Sequence, residues 1–245
     1  MSVGMVKPNP RLSGLAREPG PSADGRDAPS TERRARRAGG RIDVVAIGCS
    51  TGGANAITSV LTGLRGDFAV PILVTQHMPP RFTRLLARRL DRTCPLPVHE
   101  GRTGQIVERG HVYVAPGDFH MEARRDGARV RLLLHRGPPE NSCRPSVDAM
   151  IRSVAAAYGP SVLGVILTGM GQDGLRGCEL VRAGGGQVVV QDEASSVVWG
   201  MPGAVATAGL ADAVVPLDEM ATEIARRVMT GSRQFAAIRA AVGAR

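Results

Sequence analysis

Gly48-Cys49-Ser50-Thr51-Gly52-Gly53 follows the apolar run Ile42 to Ile47 and precedes a stretch of small and apolar residues. The pattern reads as a buried strand turning sharply into a helix, with a serine at the bend. Glycines permit the tight turn, and the unpaired N–H groups of a helix start can stabilise negative charge on a substrate oxygen. A serine at that position also suits a helix cap or a phosphate-cradling loop. The segment therefore speaks first about fold.

Working outward, strand-like and helical patterns alternate: Ile42 to Ile47, then Ala54 to Leu64; Val70 to Thr75, then Arg81 to Arg92. Such alternation predicts an α/β fold, doubly wound around a mostly parallel sheet with helices on both faces. In the middle of the chain, His111 to Ala115 and the pair His120 to Arg124 and Arg129 to His135 read as short antiparallel strands. Asp126-Gly127 supplies the turn of an added antiparallel hairpin. Alternation then resumes. Val147, Met150, Ile151, Val154 and Tyr158 mark one helix face, Val162 to Leu167 a buried strand, Gly174 to Ala183 a helix and Gln187 to Gln191 the next strand. A last helix carries Leu217, Met220, Ala221, Ile224, Ala225 and Val228, with Asp218 and Glu219 in its first turn and Arg226 and Arg227 expected in its last.

The flanks differ in composition. Residues 1–40 hold five prolines, six glycines and no aromatic residue, which predicts a disordered arm; 41–230 form the folded domain and 231–245 a tail. Nine Lys/Arg against four acids in residues 1–41 make the arm strongly basic within a chain of net charge +9. Arg33-Arg34 and Arg36-Arg37 ahead of Val44 to Cys49 superficially resemble a twin-arginine leader, but the apolar core between Asp43 and Gly48 is four residues long, against about 7–15 for a leader. No apolar stretch approaches the roughly 18 residues of a membrane span. The four cysteines, at 49, 94, 143 and 178, show neither zinc-type pairing nor a disulfide framework. A cytoplasmic protein with reduced thiols and no membrane insertion is expected.

In a parallel sheet, ligands bind beyond the carboxyl ends of the strands. Ser50, His77 and Asp173 fall after three of the strand-like runs. A serine, a histidine and an aspartate are a nucleophile, the base that takes its proton, and the carboxylate that orients the base. One rival shares the segment: Gly169-Met170-Gly171-Gln172-Asp173-Gly174 satisfies G-x-G-x-x-G, and Asp192 lies where a dinucleotide site would bind a ribose. An aspartate inside that loop would repel a pyrophosphate. Arg81, Arg84, Arg88 and Arg92 share one side of their helix, a docking face for an acidic partner, leaving Phe82, Leu85, Leu86 and Leu90 for the core. The seven aromatic residues do not interleave with arginines, so no nucleic-acid partner is expected. The histidines lack metal-ligand spacing, so no metal is expected either.

Six ordered stretches then carry a resemblance. Ile47 to Gly53, Thr75-Gln76-His77-Met78-Pro79-Pro80, Tyr113 to Asp118, Arg144-Pro145-Ser146-Val147-Asp148, Leu167 to Gly174 and Gly200-Met201-Pro202 resemble the catalytic domain of chemotaxis protein-glutamate methylesterases of the CheB type. The likeness covers about residues 41–230 and implies a serine hydrolase that needs no cofactor. Such an enzyme demethylates γ-glutamyl methyl esters on the cytoplasmic helical region of methylated chemoreceptors, releasing methanol, and deamidates receptor glutamines. It implies Ser50 as nucleophile, His77 as general base and acid and Asp173 as orienting carboxylate, with Thr51 and Met170 at the oxyanion site. Family members resemble fusions to a phosphorylatable receiver domain, whereas about 40 residues precede the matching stretch; regulation is then expected from a separate regulatory protein, or is absent. Cys143 and Gln172 depart from the usual basic residue and asparagine.

Overall fold

The computed structural model describes residues 40–243, with side chains as far as 230. The expected basic arm therefore lies outside the described residues. β1 (Val44–Cys49), β2 (Ile72–Gln76), β3 (Val98–Glu100), β4 (Val112–Val114), β7 (Val162–Ile166), β8 (Gln187–Gln191) and β9 (Ala213–Val215) form one sheet in the order β3-β4-β2-β1-β7-β8-β9. All its pairings are parallel. β5 (His120–Asp126) and β6 (Arg129–His135) make a separate antiparallel hairpin.

Parallel strands buried on both faces should be apolar throughout, and all six residues of β1 are buried. Alternation still assigns each side chain to a layer. Val45, Ile47 and Cys49 pack with α1 (Gly53–Thr62), α2 (Pro80–Thr93) and α6 (Leu217–Gly243), while Val44 and Ala46 pack with the hairpin, α3 (Val147–Tyr158), α4 (Leu175–Ala183) and α5 (Gly200–Thr207). The chain leaves β1 toward β2 on one side and returns as β7 on the other. At such a reversal the following loops diverge, and open α/β sheets form their ligand crevice there, which for this topology is at the carboxyl ends of β1 and β7.

Three expectations need correction. His111 to Ala115 does not join the antiparallel hairpin: its central residues form β4, parallel to both β2 and β3. A three-residue strand carries too little periodicity to reveal its partner. On α2, Leu86 and Leu90 are buried as expected, whereas Phe82 and Leu85 stand 54% and 52% exposed. The apolar face of this helix is thus narrower than its composition suggests. Finally, α6 runs on to Gly243 through the expected tail, so Arg226 and Arg227 lie inside the helix, where both pair with Glu223.

A very close approach between sheet and helix falls at Gly48 on β1. A Cβ there would stand 2.2 Å from Cγ1 of Val147, the first residue of α3. Gly48→Ala should therefore push α3 off the sheet and cost about 1–3 kcal/mol, the usual penalty for overpacking. Urea denaturation checks it; an unchanged midpoint would show that the helix can retreat freely.

Candidate active site

Strand register sets the first two residues. Cys49 pairs with Gln76 at the ends of β1 and β2, so Ser50 and His77 are the next residues along adjacent parallel strands. His77 N–H donates to Cys49 C=O at 3.2 Å, continuing the ladder by one step. Gln76, itself buried, braces both exits: its amide donates to the carbonyls of Ser50 at 2.9 Å and His77 at 3.1 Å and accepts from the Cys49 thiol at 3.1 Å. Gly52 then adopts φ +81°, a turn that favours glycine, and α1 begins at Gly53.

Asp173 arrives from the loop after β7. Its carboxylate is 2% exposed and accepts five hydrogen bonds: His77 Nε2 at 2.8 Å, Val147 N–H at 2.7 Å, Asp148 N–H at 3.0 Å, Ser146 Oγ at 2.9 Å and Asn141 Nδ2 at 2.8 Å. Two of these donors are first-turn amides of α3, so the charge rests on a helix N-terminus. Ser146 serves twice, donating to Asp173 and capping α3 by accepting from Ala149 N–H. Asp148 stands behind, binding the amides of Gly174 and Gly177 and sharing Asn141 with Asp173. The hairpin fixes the same corner, because Ser146 N–H donates to His120 Nδ1 at 3.3 Å while His120 Nε2 donates to Pro138 C=O at 3.0 Å.

These contacts set the charges. Burial alone would raise the Asp173 pKa, yet the hydrogen bonds from His77, Asp148 and Val147 bring it down to about 2. For His77, burial favours the neutral ring, but hydrogen bonds to Asp173 and Cys143 outweigh it and lift the imidazole to about 9. Burial lifts Asp148 above the ordinary carboxylate range, and the neighbouring charge of Asp173 adds to it.

The structure therefore brings His77 and Asp173 into direct contact and places Ser50 beside them, but no hydrogen bond joins the Ser50 hydroxyl to the imidazole. Nδ1, the nitrogen left free by Asp173, faces Cys143 Sγ at 3.5 Å. Thr51 and Met170 lie on the two loops that flank the crevice, Thr51 after β1 and Met170 after β7. The Thr51 carbonyl accepts from Thr168 Oγ1 at 2.9 Å, and Ser50 N–H donates to Thr168 C=O at 3.0 Å. The Met170 side chain is 69% exposed.

The dinucleotide reading fails on geometry. Asp173 points inward to α3 rather than toward a ligand, and Asp192 is occupied by the amide and hydroxyl of Ser195. His77, Cys143 and Asp173 offer donor atoms within 4.8 Å of one another. A cation there would have to displace donors that already fill the carboxylate. Asn141, Ser146, Asp148, Gln76 and Thr168 were not singled out for the site. The family motifs Thr75 to Pro80, Arg144 to Asp148 and Leu167 to Gly174 contain all of these but Asn141.

Comparison with known proteins points to one family. The family model described as CheB methylesterase matches residues 45–224. A protein-glutamate methylesterase/protein-glutamine glutaminase of Trichodesmium erythraeum is 53% identical over 188 residues, 77% of this chain and 53% of that protein. One from a Nocardioides species is 52% identical over 185 residues, 76% of this chain and 50% of its own. The chain thus spans about half the length of the curated relatives it matches. The crystal structure of the Thermotoga maritima CheB methylesterase catalytic domain superimposes with a TM-score of 0.74 at 40% identity, covering 76% of this chain and 98% of that one. Sequence and fold agree over the same residues, and the chain belongs to the CheB methylesterase family.

Proposed function

We propose that the chain hydrolyses γ-glutamyl methyl esters on the cytoplasmic helices of methylated chemoreceptors, releasing methanol, and deamidates receptor glutamines at the same centre. The observation that carries this reading is the His77–Asp173 contact at 2.8 Å beside a serine on a strand-to-helix turn. Curated relatives bear both activities in their names, and no helix among the described residues is long and apolar enough to cross a membrane.

In this mechanism Asp173 holds the Nε2–H, which leaves Nδ1 to act as base, the reverse of the usual serine-protease orientation. Ser50 turns its hydroxyl toward Nδ1, displacing the Cys143 thiol, and attacks the ester carbonyl. Amides of the Thr51 and Met170 loops are assigned to receive the oxyanion. His77 passes its proton to the departing methoxide and then activates water for deacylation. No cofactor takes part in these steps.

Receptor docking is assigned to α2. Arg81, Arg88, Arg89 and Arg92 are exposed beside Phe82 and Leu85, and among the described residues none of the four forms an ion pair; Arg84 reaches Glu100. Such a basic and apolar surface suits an amphipathic, glutamate-rich helix.

Four outcomes are expected. Ser50→Ala should lower methanol release from methylated receptor roughly a thousandfold or more; wild-type turnover by that variant would end the hydrolase reading. Because the base must be neutral, the rate should climb about tenfold per pH unit until it levels near the His77 value of about 9. The stability that the charged ring contributes runs the other way: it is fully present below the unfolded value of 6.5 and is lost as pH rises through about 9. Rate profiles and thermal melts of wild type and His77→Gln test both slopes. Lastly, Arg81→Glu with Arg88→Glu should lower the ratio of receptor to small-ester turnover about tenfold at low salt and less at high salt.

A further inference from the structure

We propose that Cys143 is a site of covalent oxidation, activated by the His77–Asp173 pair, and that hydroperoxides convert it to a sulfenic acid that closes the centre. The thiol lies 3.5 Å from His77 Nδ1, and Nε2 of the same ring lies 2.8 Å from Asp173. Thiol, imidazole and carboxylate thus form an unbroken chain, the arrangement by which a cysteine is made nucleophilic. The loop that carries it is built for this placement. Asn141 and Ser142 both adopt positive φ, Glu140 and Cys143 exchange two backbone hydrogen bonds, and Asn141 is tied to Asp173.

Access separates Cys143 from the other thiols. Cys49 and Cys178 are buried, and burial raises the pKa of each. Cys94 is partly exposed at the end of α2, raised by burial and without an imidazole partner. Cys143 is partly exposed on a cleft of about 510 Å³ that it lines with His77, Met78, Pro80, Asp118 and Arg144. It alone combines an open approach with a neighbouring base.

The step balances with a hydroperoxide as oxidant. In the fraction whose ring is neutral, Sγ gives its proton to Nδ1 and attacks the terminal peroxide oxygen; an S–O bond forms as the O–O bond breaks. The departing alkoxide takes the proton from Nδ1 and leaves as an alcohol, or as water when the oxidant is hydrogen peroxide. Sulfur loses two electrons and the peroxide gains them, and His77 returns to its starting state. The new hydroxyl occupies the Nδ1 position that Ser50 needs, and a thiol reductant restores it.

Loss of esterase activity rests on the methylesterase reading; the oxidation does not. The full chain is treated with hydrogen peroxide and trapped with dimedone, and labelling at each cysteine is followed by peptide mass spectrometry beside methanol release. Cys143 should label about tenfold faster than Cys94, and His77→Gln should remove that advantage. In parallel samples oxidised without dimedone, wild-type activity should fall in step with the labelling and return with dithiothreitol, while Cys143→Ala keeps a constant fraction of its own untreated rate. Equal labelling of Cys143 and Cys94, or labelling indifferent to His77→Gln, overturns the activation of this thiol. Full activity in a protein labelled at Cys143 overturns closure of the centre. An untreated enzyme that releases no methanol instead overturns the methylesterase reading, and the labelling rates still judge the thiol.

Discussion

Asp173 enters the crevice from the β7 side, yet four of the five donors on its carboxylate come from residues Asn141 to Asp148, on the loop and first turn that lead into α3. The fifth is His77, from the end of β2. One buried charge therefore ties together two strand ends and a helix start. A charge taken out of water is tolerated only when hydrogen bonds replace its hydration, so each of these donors is needed for the others to stay in place. The same saturation that stabilises the corner also fixes which imidazole nitrogen is free.

The sheet supplies the remaining precision. Parallel register between β1 and β2 carries Ser50 and His77 to the same height, and the Gln76 side chain locks the two exits together across the strand pair. On the other side of β1, Thr168 holds both the amide of Ser50 and the carbonyl of Thr51. The turn that bears the serine is therefore anchored by neighbours on both sides. The hydroxyl itself is left loose, and in the proposed mechanism its sharing of Nδ1 with the Cys143 thiol that faces it decides the chemistry.

This sharing links charge to reactivity. His77 is held largely protonated near neutrality by Asp173 and Cys143, so the centre at rest is stable and a poor base. The proposed hydrolysis needs a neutral ring and a hydroxyl in place of the thiol. Stability and activity thus pull in opposite directions at one nitrogen, a familiar cost of functional sites.

The sequence by itself determined the layered α/β architecture, because buried parallel strands and amphipathic helices have distinct periods that survive without knowledge of partners. It also brought out Ser50, His77 and Asp173 as polar residues at strand ends, and family motifs gave them roles. Local pattern could not reveal that Val112–Val114 joins the parallel sheet, that Phe82 and Leu85 face solvent, or that Cys143 sits on the imidazole. These depend on what stands opposite each residue. Ser146, Asp148 and Asn141 look like ordinary capping and loop residues until α3 is docked against β7. Only the tertiary structure decides that their donors converge on one carboxylate, because convergence is a property of strand order and helix placement rather than of neighbours in the chain.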